Sequence, residues 1–176
     1  MILDTQTHSD LELGLIDAIL RSKAEDSSIL FSYTFQFETR DLLPLLSHPA
    51  DKNACRIYWE QPREGFALAG LGKVLEINFD ASQSLDSLNE KIGNYFKQAI
   101  HVSNHPFSGP RFLGGHFFNP QANPDDTWGE FPRACYILPE CLATLNPDGC
   151  WLTISKMVTK DDNHKFLLRE FSQNCT

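Results

Sequence analysis

The chain has 176 residues, 41% of them hydrophobic and 22% charged, enough for one ordinary domain and too few for two unless both are small. Fifteen Lys and Arg against twenty-three Asp and Glu leave a net charge of −8; with no basic tract to release counterions from a phosphate backbone, nucleic-acid binding is excluded. A mean hydropathy of −0.30 excludes a disordered or fibrous chain, and no apolar run approaches the ~20 residues of a helical membrane span.

The N-terminal stretch MILDTQTHSDLELG carries acids where a leader would carry a basic region, so a cytoplasmic location is expected. Five cysteines, Cys55, Cys135, Cys141, Cys150 and Cys175, form an odd set with no CxxC pair, which predicts reduced, buried thiols.

Leu11, Leu15, Ile16, Ile19 and Leu20 recur at helical spacing behind a Ser9–Glu12 capping box, predicting a helix over residues 10–24. From Ile29 to Phe37 apolar side chains alternate with Ser32, Thr34 and Gln36, which predicts a strand with one apolar and one wet face. Residues 41–49 hold Pro44, which fits only the first turn of a short helix or a turn. Residues 56–60 and 66–72 read as a hairpin about a Pro62–Gly65 turn, with Gly70 and Gly72 marking a bulge or close backbone approach before a continuation over 74–79. Leu85, Leu88, Ile92, Phe96 and Ile100 predict a second helix between Ser84 and His101, with Ser87 and Glu90 as its capping box. Residues 112–118 predict a central strand apolar on both faces, and 120–126 an exposed turn. Residues 133–138 and 141–145, interrupted by Pro139, pair with a returning strand over 150–158 through the Asn146–Gly149 turn. Two helices and about seven strands give an α+β class, an antiparallel sheet with flanking helices.

Candidate chemistry is sparse. His101 and His105 stand four apart, with His116 further on, but Pro106 takes His105 off a helix and no third ligand is set beside them. Asp125, Asp126 and Glu130 flank Trp128 in a stretch whose Pro and Asn make solvated turn formers the simpler account. Gly114-Gly115 lacks the strand-to-helix context of a phosphate cradle, so close backbone packing explains it better.

Three ordered segments, CRIYWEQPREGFALAGLG (55–72), GPRFLGGHFFNP (109–120) and WGEFPRACYILPECL (128–142), resemble the N-terminal half of isochorismate synthases, over residues 27–158 in all. The resemblance implies an α/β/β/α sandwich of two antiparallel sheets and a reversible, Mg²⁺-dependent isomerisation of chorismate to isochorismate, on a menaquinone, phylloquinone or siderophore route. In that family a lysine base, a glutamic acid and glutamate ligands to Mg²⁺ do the chemistry from the C-terminal half. Lys165 to Arg169 only superficially resembles the family's lysine motif. The resemblance therefore implies that residues 1–176 are a single N-terminal portion, with no catalytic, cofactor-binding or metal residue in it, inactive alone and partnered by its own C-terminal half. Glu60 and His116 belong to the matching segments as scaffold, as do Gly70, Gly72, Gly114 and Gly115. An alternative is a stand-alone binding or assembly protein built on this half-fold, and another is a part of a salicylate, anthranilate or aminodeoxychorismate synthase. An uncovered apolar surface or unpaired sheet edge is expected on the isolated chain.

Overall fold

The apolar periodicity at the start of the chain forms helix α1 (Thr5–Glu25), and the alternating stretch after it forms β1 (Ile29–Gln36). The computed structural model describes residues 5–47, 54–79, 85–103, 105, 108–118 and 132–174. A short helix α2 (Leu43–Leu46) holds Pro44 in its first turn, followed by β2 (Arg56–Gln61), β3 (Phe66–Leu71) and β4 (Leu75–Phe79). Then come helix α3 (Leu85–Gln98), β5 (Ile100–Val102), β6 (Leu113–His116) and β7 (Ala134–Leu138). The chain continues with β8 (Cys141–Asn146), β9 (Gly149–Val158) and helix α4 (His164–Asn174).

The strands form two sheets, one of six strands in the order β2-β3-β8-β9-β1-β5 and one of three in the order β4-β7-β6. Every pairing is antiparallel except β1 with β5, which run parallel. The α+β class with a mostly antiparallel sheet holds. The hairpins β2–β3 and β8–β9 hold too; in the second, the Asn146 side-chain oxygen accepts from the Asp148 and Gly149 amides at 2.8 and 3.1 Å.

Phe31, Tyr33 and Phe35 on β1 and Leu152 and Ile154 on β9 bury one face of the large sheet against α1 and α4. A smaller core joins Ile77, Phe79 and Ala134 of the small sheet to Leu88 of α3. Gly72, at φ 71, ends β3 in a left-handed turn that suits only glycine at low cost, and Val74 then bonds to the Leu138 carbonyl. The continuation over 74–79 is therefore not a strand beyond a bulge but the first strand of the other sheet.

Several expectations are corrected. α1 begins upstream of Ser9, so the Ser9–Glu12 box does not cap it, and Ser87 likewise lies inside α3. Ile100 and His101 continue the helical spacing of α3 yet form strand β5, because pairing with Phe31 and Ser32 outweighs local periodicity. Residues 113–116 form an exposed edge strand, not a central one. Helix α4 was not expected at all, although Leu167, Leu168 and Phe171 lie at helical spacing and the Asn163 side chain accepts from the Lys165 and Phe166 amides. The expected turn over 120–126, with Asp125, Asp126, Trp128 and Glu130, lies outside the described residues, as does Cys175.

The expected wet face of β1 is buried. Ser32 and Thr34 are 0% and 6% exposed, because their hydroxyls pair across the sheet with Ser155 (2.9 Å) and Thr153 (2.8 Å). Polar groups that satisfy one another can leave water at little cost. Thr144 on neighbouring β8 is different: it is 0% exposed, and its hydroxyl has no hydrogen-bond partner. Thr144→Val keeps the branched shape and removes that orphan, so it is expected to stabilise the chain by about 1 kcal/mol, read as a raised urea midpoint at unchanged slope.

Candidate functional site

Strand β5 stops at Val102, opposite Tyr33, while β1 runs on to Gln36. The Ser103 hydroxyl accepts from the His105 amide at 3.1 Å and pairs with the Ser108 hydroxyl at 2.8 Å, which bends the chain away from β1. A cavity of about 350 Å³ opens where the two strands part. Tyr33, Phe35 and Val102 supply its apolar wall, and Thr34, Gln36 and Ser103 its polar groups. Trp151 of β9 closes it with His105, whose ring stacks on the indole at 3.8 Å between centroids and 20° between planes.

Thr34, which lines the cavity, is held from both sides, by Thr153 and by His101 Nε2 at 3.0 Å. The His101 residue is partly open to solvent, but its ring packs where a side chain on Gly109 would touch it, and desolvation lowers its pKa. Among the described residues of the cavity wall, Asp10 of α1 is the one carboxylate and none is Lys or Arg. The site can therefore hold a ring against aromatic walls and hydrogen-bond it, but its described residues offer no Lys or Arg to an anionic ligand.

The histidines the sequence singled out do not converge on one centre. His101 sits on β5, His105 stacks on Trp151, and His116 on β6 bonds through Nδ1 to the Tyr136 hydroxyl at 2.9 Å. Glu60 accepts from the Tyr58 hydroxyl at 2.6 Å, and that hydrogen bond raises the tyrosine pKa. Among the described cysteines Cys55, Cys135, Cys141 and Cys150 are free thiols. Burial pushes Cys150 up to about 11 and raises Cys135, which keeps both protonated near neutral pH and poor as nucleophiles. Lys73 and Glu76 form an ion pair beside Cys135, with Asn78 as second donor to the carboxylate, and these bonds lower the Glu76 pKa.

Mg²⁺ needs several oxygen ligands around one point. Among the described residues no three His, Cys, Asp or Glu side chains stand close enough to hold a metal. The described residues do not fit the ion. Sequence reasoning missed the cavity, whose walls come from four separated stretches; only the Ser103–His105 turn carried a local signal.

Two sheets flanked by helices define the fold, and the hairpin β2–β3 and the edge strand β6 lie within the segments 55–72 and 109–120. The sequence model of the chorismate binding enzymes matches residues 16–176, and the chain belongs to that family. Within it, the chain is similar to the isochorismate synthase MenF of Bacillus subtilis (strain 168), at 25% identity over 162 residues. That alignment takes in 88% of this chain and 34% of the relative, so the chain spans about a third of the length of the curated relative it matches. No helix among the described residues is long and apolar enough to cross a membrane.

Proposed function

We propose that this chain is the scaffold portion of a cytoplasmic isochorismate synthase, converting chorismate to isochorismate only together with the polypeptide that makes up the rest of such an enzyme. The observation that carries this reading is the alignment, which takes in nearly all of this chain but about a third of the relative. In this reading the base that activates water, the acid that assists loss of the hydroxyl and the ligands of Mg²⁺ all come from the C-terminal portion of such an enzyme, beyond the third that this chain matches. The cavity beside β1 supports the division of labour: chorismate carries two carboxylates, and among the described residues of the wall no Lys or Arg is present to pair with them. The substrate site then lies elsewhere, and the strands here hold it in place.

The purified chain, incubated with chorismate and Mg²⁺, is expected to give no isochorismate above the uncatalysed background when the products are separated by chromatography. Measurable turnover would overturn the scaffold role.

A further inference from the structure

We infer that β2 is a pairing edge for a second copy of this chain, the two strands running antiparallel about Tyr58. Strand β2 ends the six-stranded sheet and is exposed along almost its whole length, with Trp59 46% and Tyr58 38% accessible. It has no Lys, no Pro and no bulge, and its two charged side chains, Arg56 and Glu60, are of opposite sign, so they do not act as the like-charged guard that stops an edge from recruiting a copy of itself. The Gly72 amide donates to the Cys55 carbonyl at 2.9 Å. Backbone groups alternate sides along a strand, so 55, 57 and 59 face β3, and the amides and carbonyls of Arg56, Tyr58 and Glu60 point out of the sheet.

The occupant follows from the side chains. In an antiparallel pair centred on Tyr58, Arg56 faces Glu60 of the second copy and Glu60 faces its Arg56, while Ile57 faces Trp59 on the other surface. Opposite charges and an aromatic–β-branched contact are the favourable cross-strand pairs. The two neighbouring symmetric registers set Arg56 against Tyr58, or against Pro62, which has no amide to give. Only the Tyr58-centred register uses all three outward residues on each strand and matches every charge. Within one copy the Tyr58 hydroxyl already holds the Glu60 carboxylate at 2.6 Å, and Arg56 Nε is fixed on the Leu46 carbonyl at 2.8 Å. Both charged side chains thus have fixed anchors within their own copy before a partner arrives. On the opposite surface Trp59 packs edge-on against Phe66 at 5.8 Å, so the indole meets Ile57 of the partner as part of a rigid aromatic pair. A six-residue edge buries little area, which places the dimer at the weak end of specific association.

Sedimentation equilibrium of the 176-residue chain over about a hundredfold concentration range tests this. The weight-average mass is expected to rise from 20.0 kDa towards twice that value. R56E and E60R are each expected to raise the dissociation constant at least tenfold, because each sets like charges opposite one another. An equimolar mixture of the two variants is expected to regain dimer, and so is the double swap R56E/E60R. If R56E unfolds through loss of its carbonyl bonds, E60R and W59K carry the test, each expected to weaken association at least tenfold in a chain that melts normally. A wild-type chain that stays monomeric at every concentration overturns the inference, and so does a dimer that folded E60R and W59K leave intact. A folded mixture of R56E and E60R that fails to associate overturns the register.

Discussion

Gly114→Val is expected to destabilise the chain by about 3 kcal/mol or more, at or beyond the top of what overpacking usually costs. A side chain there would put its first carbon 2.0 Å from the Cys135 carbonyl oxygen and 2.8 Å from Tyr136 Cα. Both are backbone atoms of β7, the central strand of the small sheet, so no rotamer change relieves the clash. The β6–β7 register, in which Gly114 faces Tyr136, has to open. Gly115 is the internal control: a carbon added there meets nothing within 4 Å. Gly115→Ala is therefore expected to be neutral or slightly stabilising, by reducing the freedom of the unfolded chain. In thermal melts the valine variant is expected to lose about 6 to 12 °C while the alanine variant stays within a degree or two. Equal losses at both positions would show that the close approach does not govern this strand.

That pair shows where sequence reasoning stops. Two adjacent glycines read alike as close packing, yet one is pressed against a backbone and the other faces open space, because strand alternation sends them to opposite faces. The same limit explains β1. Apolar residues alternating with Ser32, Thr34 and Gln36 is the pattern of a half-wet strand, and it located the strand and its apolar face correctly. What buries the other face is pairing with Ser155 and Thr153, more than a hundred positions away, and no local window contains it. Strand β5 was lost for a related reason: Ile100 lies four residues after Phe96, so it extends the helical pattern, and only β1 makes it a strand.

The hairpins were legible because turn chemistry is local. Pro62 to Gly65 and Asn146 to Gly149 specify their turns without help from the rest of the chain. The cavity beside β1 is the opposite case, since Asp10, Gln36, His105 and Trp151 meet only once the sheet order is set. The pattern of elements supplied the α+β class and the resemblance supplied the family, but the make-up of the cavity's described walls comes from geometry alone.

Helix α4, which no motif announced, is expected to be as much a part of the main core as β1. Phe171 is 1% exposed and meets Phe31, itself 0% exposed, edge to face with centroids 5.3 Å apart. Beside it Leu167 is fully buried, and Lys156 of β9 reaches Glu170 at 2.6 Å. That ion pair is more than a third exposed on both sides and contributes little, so the helix is held by its apolar face. Phe171→Ala is expected to cost about 3 to 5 kcal/mol, from lost transfer energy, the cavity left behind and the missing ring contact. Against the ~5 to 15 kcal/mol that holds an ordinary domain folded, this is a large share of the whole. Phe166, on the same helix but 63% exposed, is the comparison, and Phe166→Ala is expected to stay within about 0.5 kcal/mol. Urea unfolding followed by circular dichroism separates the two cases. If α4 were an appendage, Phe171→Ala would leave the main transition in place and melt the helix early, in a separate step. A single transition with a lowered midpoint is the result that binds residues 164–174 to the sheet they cover.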